Sequence, residues 1–424
     1  MTGLVVGIDV GTSGVRAVAM DASFAIHGQA GVALADFGTD WRDPATWWRA
    51  IEAALTALFA RVDAGQVRAL AVDGTSGTML PVDRAGEPLS GALMYSDKVE
   101  DAAILSAIAA EAPPESAAHG ATSGLAKLLL FQSRLRPARV LHQADWIAGR
   151  LTRRFAVSDE NNALKTGYDP VRRRWPDWIG RTGADMALLP QVVPPGTAIA
   201  AISAESAKRF GLAGDAVVVA GTTDGCASFL ATGAARVGDA VTALGSSLTL
   251  KALCETPLFA PQFGIYSHRI GDAWLAGGAS NTGGKVLAHF FPVERIVELS
   301  GSIKPDRPTG LDYYPLIGPG ERFPIADAGL APRLEPRPAD DALFLQAMLE
   351  GIAAIEARGY RQLADLGGPE LRSVRSVGGG ARNPAWTAIR GKKLGVPFLD
   401  ALCEEAAAGT ARLALQGARQ AGLL

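Results

Sequence analysis

Short apolar runs separated by glycine-rich turns characterise the start of the chain. Residues 4–10 and 15–20 are apolar runs on either side of Gly11-Thr12-Ser13-Gly14, and this spacing predicts a β-hairpin. Residues 67–73 predict a further buried strand, which ends at Gly74-Thr75-Ser76-Gly77. Polar turn residues therefore follow directly on buried strands.

An extended segment and an amphipathic helix are predicted between these strands. Residues 25–34 predict a strand, and Asp43-Pro44 then supplies a helix N-cap followed by proline at the first helical position. Behind it, apolar residues recur every three or four positions, at Trp47, Ile51, Ala54, Leu55, Leu58 and Val62.

The second half of the chain repeats this arrangement. A strand at residues 239–244, a Gly245-Ser246-Ser247 turn and a returning strand at 248–253 resemble the first hairpin. A long amphipathic helix is predicted at about 341–366, and a strand at 374–377 leads into Gly378-Gly379-Gly380. Strands alternating with helices indicate an α/β fold. We therefore predict two related domains, residues 1–231 and 232–424.

Composition narrows the class of protein. The chain has 424 residues, a formal net charge of −2 and 48% hydrophobic residues, which is typical of a globular protein with two domains. There is no global basic field to bind nucleic acid or anionic lipid, and no apolar run long enough to span a bilayer. Three separated cysteines and the lack of a signal-peptide pattern favour the cytoplasm.

Three glycine-rich turns after apolar strands, at residues 11–14, 245–247 and 378–380, are candidates for phosphate binding. Their backbone amides and hydroxyl groups can point at an anion, although any one of them alone could be a tight hairpin turn. No Gly-x-x-x-x-Gly-Lys-Ser/Thr motif occurs, which excludes a P-loop nucleotide site. The first turn leads into a strand instead of a helix, which disfavours a dinucleotide-binding fold.

Two aspartates at strand ends are candidates for the chemistry. Asp9 ends the first buried strand and is a candidate Mg²⁺ ligand, or else an Asx-turn residue. Asp224 follows the strand at 216–220 and could accept a proton from a substrate hydroxyl, or else cap a helix. Thr75 and Ser76 are candidate substrate contacts, and Asn383 with Trp386 suits an adenine or ribose site, with a core position as the alternative for Trp386.

These segments resemble the FGGY family of carbohydrate kinases. The resemblance covers nearly the whole chain in the family's order, and the ordered set is highly specific. Its segments are Val6–Arg16 (opening phosphate loop), Ala220–Gly225 (catalytic aspartate), Gly238–Ser247 (second phosphate loop), Leu349–Ala353, Val377–Trp386 (adenosine segment) and Glu405–Ala411.

This resemblance implies two ribonuclease-H-like, actin-like ATPase domains flanking a catalytic cleft, with sugar on the N-terminal domain and ATP on the C-terminal one. Asp224 would be the general base, and Asp9 would help to hold Mg²⁺ and lie near the substrate. The phosphates would meet Gly11, Thr12 and Ser13 on one side, and Gly245, Ser246 and Ser247 on the other. The nucleotide would contact Gly379, Gly380, Asn383 and Trp386.

Departures from the family pattern concern the substrate. The family's Trp-x-Asp-x-Arg appears as Tyr95-Ser96-Asp97-Lys98-Val99, which keeps Asp97 as a candidate substrate contact, and a Lys-x-x-x-Trp signature appears as Lys127 to Phe131. The compact chain, Asp73-Gly74-Thr75-Ser76 and Gly-Thr-Thr-Asp together look most like the D-ribulose kinase subgroup, including its xylulose kinase-like relatives. This likeness favours D-ribulose over D-xylulose or another polyol.

Two alternatives belong to other classes: an actin- or Hsp70-type ATPase switch, and a sugar sensor without catalysis. The first would turn over ATP without a sugar acceptor, and the second would be expected to lack Asp224. The expected partner is a small sugar or polyol, with a homodimer as the oligomer to test and no nucleic-acid or membrane partner. The expected cofactors are ATP and Mg²⁺.

Overall fold

The computed structural model describes residues 3–424, and the chain forms two compact units. The first unit contains the chain up to Ala231 together with His268–Gly271 and Glu405–Leu424, and the second contains Thr232–Ser267 and Asp272–Glu404. The division after Ala231 coincides with the predicted boundary. The two later segments differ from the prediction, because they lie in the first unit and not in the second.

The first unit is built on a six-stranded sheet in the order β3-β2-β1-β4-β10-β9, in which β1, β4 and β10 run parallel. Its strands are β1 (Leu4–Val10), β2 (Gly14–Met20), β3 (Ile26–Ala33), β4 (Val67–Gly74), β5 (Met79–Val82), β6 (Arg139–His142), β7 (Val157–Asp159), β8 (Gln191–Val193), β9 (Ala198–Ala201), β10 (Val217–Thr223) and β13 (His268–Ile270). Its helices are α1 (Pro44–Phe59), α2 (Ala102–Glu111), α3 (Gly124–Arg134), α4 (Gln143–Thr152), α5 (Glu160–Ala163), α6 (Trp178–Arg181), α7 (Ala204–Phe210), α8 (Asp224–Ala231) and α13 (Ala406–Gln420).

The second unit has a sheet in which strands pair in the order β14-β12-β11-β15-β16. Its strands are β11 (Asp239–Leu244), β12 (Leu248–Cys254), β14 (Ala273–Ala279), β15 (Ser373–Val377) and β16 (Phe398–Leu399). Its helices are α9 (Gly284–Phe290), α10 (Val293–Ser300), α11 (Asp341–Asp365) and α12 (Pro384–Leu394). The long predicted helix and the strand before the triple glycine are both confirmed.

Local signals account for the element boundaries. The Asp43 side chain accepts a hydrogen bond of 2.9 Å from the Ala45 amide, so α1 begins at Pro44 as predicted. Its apolar face, including Trp47, Ile51 and Leu55, is buried against the first sheet. The helix ends at Phe59, before Val62, which the apolar spacing had included.

The last helix, α13, packs on the first sheet because β1 offers a side-chain-free surface. A Cβ atom on Gly7 would lie 2.0 Å from the Ala407 carbonyl oxygen and 2.3 Å from the Ala411 nitrogen. Only glycine permits this approach of helix to strand. The C-terminal segment is therefore part of the first unit's core.

The two sheets share the same internal arrangement. In the first, β1 pairs antiparallel with β2 and parallel with β4. In the second, β11 pairs antiparallel with β12 and parallel with β15. The predicted duplication of an α/β unit is confirmed. None of the helices formed by residues 3–424 combines the length and the apolar character that a membrane crossing requires.

Candidate active site

Three aspartates mark the carboxyl ends of the three parallel strands in the first sheet. Asp9 lies on β1 and Asp73 on β4, where the two are paired in register. Thr222 of β10 pairs with Asp73 on its other side. The strand ends at Thr223, and Asp224 is the first residue of α8. Because parallel strands end at one edge of a sheet, these three carboxyl groups face the same region.

Asp73 is the most deeply buried of the three and was not predicted as a site residue. Its side chain is fully buried, and its Oδ2 atom accepts a hydrogen bond from the Thr410 hydroxyl on α13. Burial raises the pKa of Asp73 well above its usual range, and the neighbouring Asp9 carboxylate raises it further. Asp73 therefore lies behind Asp9 as a buried carboxyl group whose ionisation is disfavoured. Its position at a buried strand end was the only sequence signal for it.

Asp9 is nearly buried, with 6% of its surface exposed. The pKa of Asp9 is raised overall, chiefly by burial and also by the Asp224 carboxylate. The hydrogen bond with Asp73 and the Arg16 guanidinium act in the opposite direction and lower it. The Arg16 Nη1 atom lies 3.7 Å from Asp9 Oδ2, and Arg16 also contacts Glu405. The Asp9 carboxyl group thus lies at the carboxyl end of β1, between Arg16 and Asp73.

Asp224 is half-buried and holds its position through local bonds. Its Oδ1 atom accepts a hydrogen bond of 2.7 Å from the Gly225 amide, and its carbonyl oxygen accepts one of 2.9 Å from the Ser228 hydroxyl. Within residues 3–424, no Lys, Arg or His nitrogen lies within 4.0 Å of its carboxylate. The group is therefore oriented by the helix start and is not neutralised by an ion pair.

The turn after β4 brings Thr75 and Ser76 to the same edge. The Thr75 amide and hydroxyl both bond to Oε1 of the buried Gln143, at 3.0 and 3.1 Å. The buried Ser76 hydroxyl oxygen has no partner among the described residues. Lys127 lies behind the turn and donates hydrogen bonds of 2.7 Å to the carbonyl oxygens of Gly77 and Met94. Gln143 and Lys127 thus fix the turn.

Asp97 is engaged by a residue that the sequence does not place nearby. Arg42 donates two hydrogen bonds to its carboxylate, from Nη2 at 2.7 Å and from Nε at 3.1 Å, and the Met94 amide donates another at 2.8 Å. Burial raises the pKa of Asp97, but these bonds outweigh it and the net shift is downward. Arg42 is therefore the ion-pair partner of Asp97, and Asp97 holds this loop through the Met94 amide.

The hairpin turn of the first unit leaves its hydroxyl groups accessible. The Gly11 amide donates a hydrogen bond of 3.0 Å to the Gly14 carbonyl oxygen, which closes the turn. Thr12 and Ser13 are both exposed. The turn follows β1 and lies at the same sheet edge as Asp9, so this part of the first unit gathers most of its predicted residues.

In the second unit, the predicted nucleotide residues lie at the ends of the parallel strands β11 and β15. Gly245 and Ser246 are exposed, and their carbonyl oxygens accept hydrogen bonds of 2.8 and 3.1 Å from the amides of Gly284 and Lys285. The turn at Gly378 follows β15, and Gly379 is exposed. The two turns therefore share one edge of the second sheet.

Asn383 and Trp386 occupy different environments. Asn383 caps α12, accepts a hydrogen bond of 3.1 Å from the Trp386 amide and donates one of 2.8 Å to the Ser300 hydroxyl. Trp386 is only 2% exposed, lies in the core of the second unit and packs beneath Gly380. Direct stacking on an adenine would require this ring to leave the core, so the structure favours a supporting role for Trp386.

Within residues 3–424, no group of three or more His, Cys, Asp and Glu side chains is arranged to hold a metal ion. A Mg²⁺ ion commonly takes only one or two carboxylates from the protein and completes its shell with water and phosphate oxygens. Asp9, a single carboxyl group at the end of β1, fits that mode of binding.

Comparisons with known proteins agree with this geometry. Residues 4–115 match the N-terminal domain model of the FGGY family of carbohydrate kinases, and residues 238–418 match the C-terminal one. A xylulose kinase of Staphylococcus epidermidis is 23% identical over 416 residues, covering 91% of this chain and 82% of the relative. An autoinducer-2 kinase of Yersinia enterocolitica is 26% identical over 62% of this chain and 54% of its own length.

Solved structures show the same fold. A xyloylose kinase from Brucella ovis superposes with a TM-score of 0.85 at 25% identity, over 98% of this chain and 91% of that one. A Plasmodium falciparum glycerol kinase with ADP has a TM-score of 0.82 at 15% identity, over 99% of this chain and 90% of that one. The fold is thus the two-domain, actin-like ATPase fold, and the activity class is phosphoryl transfer with ATP as the donor. The chain belongs to the FGGY family of carbohydrate kinases.

Proposed function

We propose that this protein phosphorylates a ketopentose, with D-ribulose as the preferred acceptor and D-ribulose 5-phosphate as the product. The observation that carries the proposal is the meeting of Asp9, Asp73 and Asp224 at one edge of the first sheet. The turn containing Thr75 and Ser76 borders the same edge. Carboxylate and hydroxyl groups are the side chains that a polyhydroxylated acceptor requires.

Asp224 is the proposed general base. Its carboxylate has no cationic partner within ion-pair distance in the described chain, and the Gly225 amide orients it. It would accept the proton of the acceptor's primary hydroxyl as that oxygen attacks the γ-phosphorus atom. The bond from the γ-phosphorus to the bridging oxygen breaks, and ADP leaves.

Asp9 is the proposed protein ligand for Mg²⁺, directly or through water. Bound Mg²⁺ would offset the negative charge of the phosphate oxygens during transfer. Asp73 and Arg16 hold the Asp9 carboxylate in place from two sides. Thr12 and Ser13, which are exposed on the adjacent turn, would donate hydrogen bonds to the γ-phosphate.

The second unit is proposed to bind the rest of the nucleotide. The turn of Gly245, Ser246 and Ser247 offers backbone amides and hydroxyl groups, and the register partners before it and before the Gly378 turn, Ala243 and Val377, are apolar, which suits an anion. The Gly379–Asn383 segment would contact the adenosine. Trp386 would support that segment from the core.

D-Xylulose is the second candidate acceptor, because the relative from Staphylococcus epidermidis and the structure from Brucella ovis carry xylulose-kinase names. D-Ribulose is favoured by the Asp73-Gly74-Thr75-Ser76 and Gly-Thr-Thr-Asp segments. The two ketoses differ in configuration at one carbon, so a few hydroxyl contacts decide between them.

The test is an ADP-release assay with MgATP and D-ribulose, D-xylulose, L-ribulose, glycerol, ribitol or no acceptor. We expect D-ribulose to give the highest kcat/KM. A higher kcat/KM for D-xylulose would move the substrate and leave the roles of the residues intact. ADP release that no acceptor stimulates would contradict the ketopentose proposal and favour an ATPase switch.

A further inference from the structure

A fully buried ion pair lies beneath the two proposed nucleotide turns of the second unit. Arg390 of α12 donates hydrogen bonds to Glu356 of α11, from Nε to Oε2 at 2.6 Å and from Nη2 to Oε1 at 2.7 Å. Both side chains are completely buried. The contact is bidentate, which fixes the guanidinium and the carboxylate in one plane.

This pair bonds to the two strands that carry the turns. The Thr242 hydroxyl on β11 donates a hydrogen bond of 2.6 Å to Glu356, and Tyr360 bonds to the same hydroxyl at 2.8 Å. Arg390 Nη1 donates a hydrogen bond of 2.8 Å to the Ser376 hydroxyl on β15. Thr242 and Ser376 are register partners, so the network bridges the strands at one level of the sheet.

That level is close to both turns. Thr242 precedes Gly245 by three residues, and Ser376 precedes Gly379 by three. At about 3.3 Å per residue, each turn begins roughly 10 Å from the network. Arg390 also lies on the same helix as Asn383, which caps it. Both turns and the capping residue are therefore anchored to one polar cluster.

Stability alone does not explain the network. Removing two charges from water costs several kcal/mol per ion, and well-packed apolar side chains often stabilise such a site equally well or better. In the described part of the chain, the first sheet of the same protein has no such network. Its register positions equivalent to Thr242 and Ser376 are Ile8 and Val72, which are apolar and buried.

We propose that the Glu356–Arg390 pair, with Thr242 and Ser376, is a positioning network for nucleotide binding. It holds the Gly245–Ser247 turn and the Gly378–Asn383 segment at the separation that the phosphates and adenosine of ATP require. The inference rests on the proposed nucleotide role of these turns. The backbone ladder already joins β11 to β15, so the network adds the placement of α12, whose N-cap is Asn383, against both strands. Polar bonds constrain direction as well as distance, which apolar contacts do not.

The test is direct binding of ATP and ADP by calorimetry, together with the KM values for ATP and for the sugar. In the double variant Glu356→Leu/Arg390→Met, the buried charges are replaced as a pair, so we expect folding to persist. We expect its Kd and KM for nucleotide to rise about tenfold, within the range that coupling networks produce. The sugar KM should stay within about twofold, since the first unit binds the sugar.

A matched control exists at the other end of the same strands. The Ser373 hydroxyl donates a hydrogen bond of 2.7 Å to Asp239, which links β15 to β11 away from the turns. Ser373→Ala should leave the nucleotide Kd unchanged, even where it lowers the melting temperature. Arg390→Lys keeps the charge but loses the bidentate geometry, so its Kd should fall between those of the wild type and the double variant.

The outcomes separate this inference from the proposed function. A double variant that melts earlier but binds ATP with the wild-type Kd would show a purely structural pair and overturn the inference. If the double variant does not fold, Arg390→Lys decides: a wild-type Kd overturns the inference and a raised Kd supports it. A wild-type protein that binds no nucleotide would overturn the proposed function itself.

Discussion

The two sheets have the same strand arrangement but carry different side chains at the edge where their parallel strands end. In the first sheet, Asp9 and Asp73 are register partners just before their turns. The equivalent partners in the second sheet are Ala243 and Val377. Carboxyl groups at the first edge suit a metal and a hydroxyl acceptor. At the second edge the two register positions are apolar, and Glu404 approaches only the turn, where its Oε2 atom accepts a hydrogen bond of 3.3 Å from the Gly378 amide. Under the proposed function, the duplicated unit would serve two kinds of chemistry through a few side chains.

The buried cations of the two units also differ, in that only one of them has a carboxylate partner. Arg390 in the second unit is paired with Glu356 in a bidentate contact. Lys127 in the first unit is held by two backbone carbonyl oxygens, and no carboxylate lies within 4.0 Å of it in the described chain. Behind the turn of Thr75 and Ser76, the first unit therefore keeps a buried ammonium group without an ion-pair partner among residues 3–424. Buried groups with a shifted pKa, such as Lys127, are more frequent at functional sites than elsewhere.

Removing the proposed base should have the largest effect. Asp224→Ala should lower kcat by about 10²–10⁴, because a positioned base contributes a factor of that size, while the Kd for ATP stays near that of the wild type. The measurement is steady-state ADP release with nucleotide binding by calorimetry. Near wild-type turnover would remove Asp224 from the role of base.

Raising the pH should change the contribution of the first unit's buried cation, Lys127, to stability. Burial lowers the pKa of Lys127 to about 8, with the nearby Lys165 adding to the shift. The folded state therefore binds fewer protons than the unfolded state between about pH 8 and 10.5. Over that window, Lys127 should increase the free energy of unfolding by an amount on the order of 2–3 kcal/mol.

Urea unfolding at several pH values, compared between the wild type and Lys127→Met, measures this contribution. We expect the difference in unfolding free energy between the two proteins to change across pH 8–10.5 and to be flat at lower pH. A constant difference throughout would mean that Lys127 keeps an ordinary pKa.

Placing an acid at the second edge should break the asymmetry directly. Ala243→Asp introduces a carboxylate at the register position that Asp9 occupies in the first sheet, and its repulsion of the phosphates should raise the Kd for ATP about tenfold or more. Ala243→Asn has nearly the same shape without the charge and is the matched control. Equal weakening by both variants would indicate a steric effect instead of an electrostatic one.

The smallest expected effect concerns the bond between the last helix and the first sheet. Thr410→Val removes the hydroxyl that donates to Asp73 and leaves a buried oxygen without a donor, which should cost about 1–2 kcal/mol of unfolding free energy. Thr410→Ser should retain most of the stability. Unchanged unfolding of the valine variant would mean that this bond contributes little to anchoring α13.

Much of the fold followed from local patterns. The strand ends at Asp9 and Asp73, the start of α1 at Asp43-Pro44 and the long helix α11 all depend on residues that are close together in sequence. Apolar spacing, capping side chains and glycine turns act over a few residues, so the sequence alone indicates them. The repeat of hairpin, turn and strand in the second half was visible for the same reason.

The partners of the site residues were decided by tertiary structure. Asp73 meets Thr410, and Asp97 meets Arg42, although these pairs are 337 and 55 residues apart. The burial of Trp386 and the pairing of Glu356 with Arg390 likewise arise only when helices pack on the second sheet.

The sequence by itself determined the family, the α/β class and the strand-end positions where chemistry could occur. Only the tertiary structure decided which carboxyl groups are buried with a raised pKa, which cations are paired and that α13 completes the first unit. The physical reason is that burial and long-range contacts set these properties, and neither is encoded in the spacing of neighbouring residues.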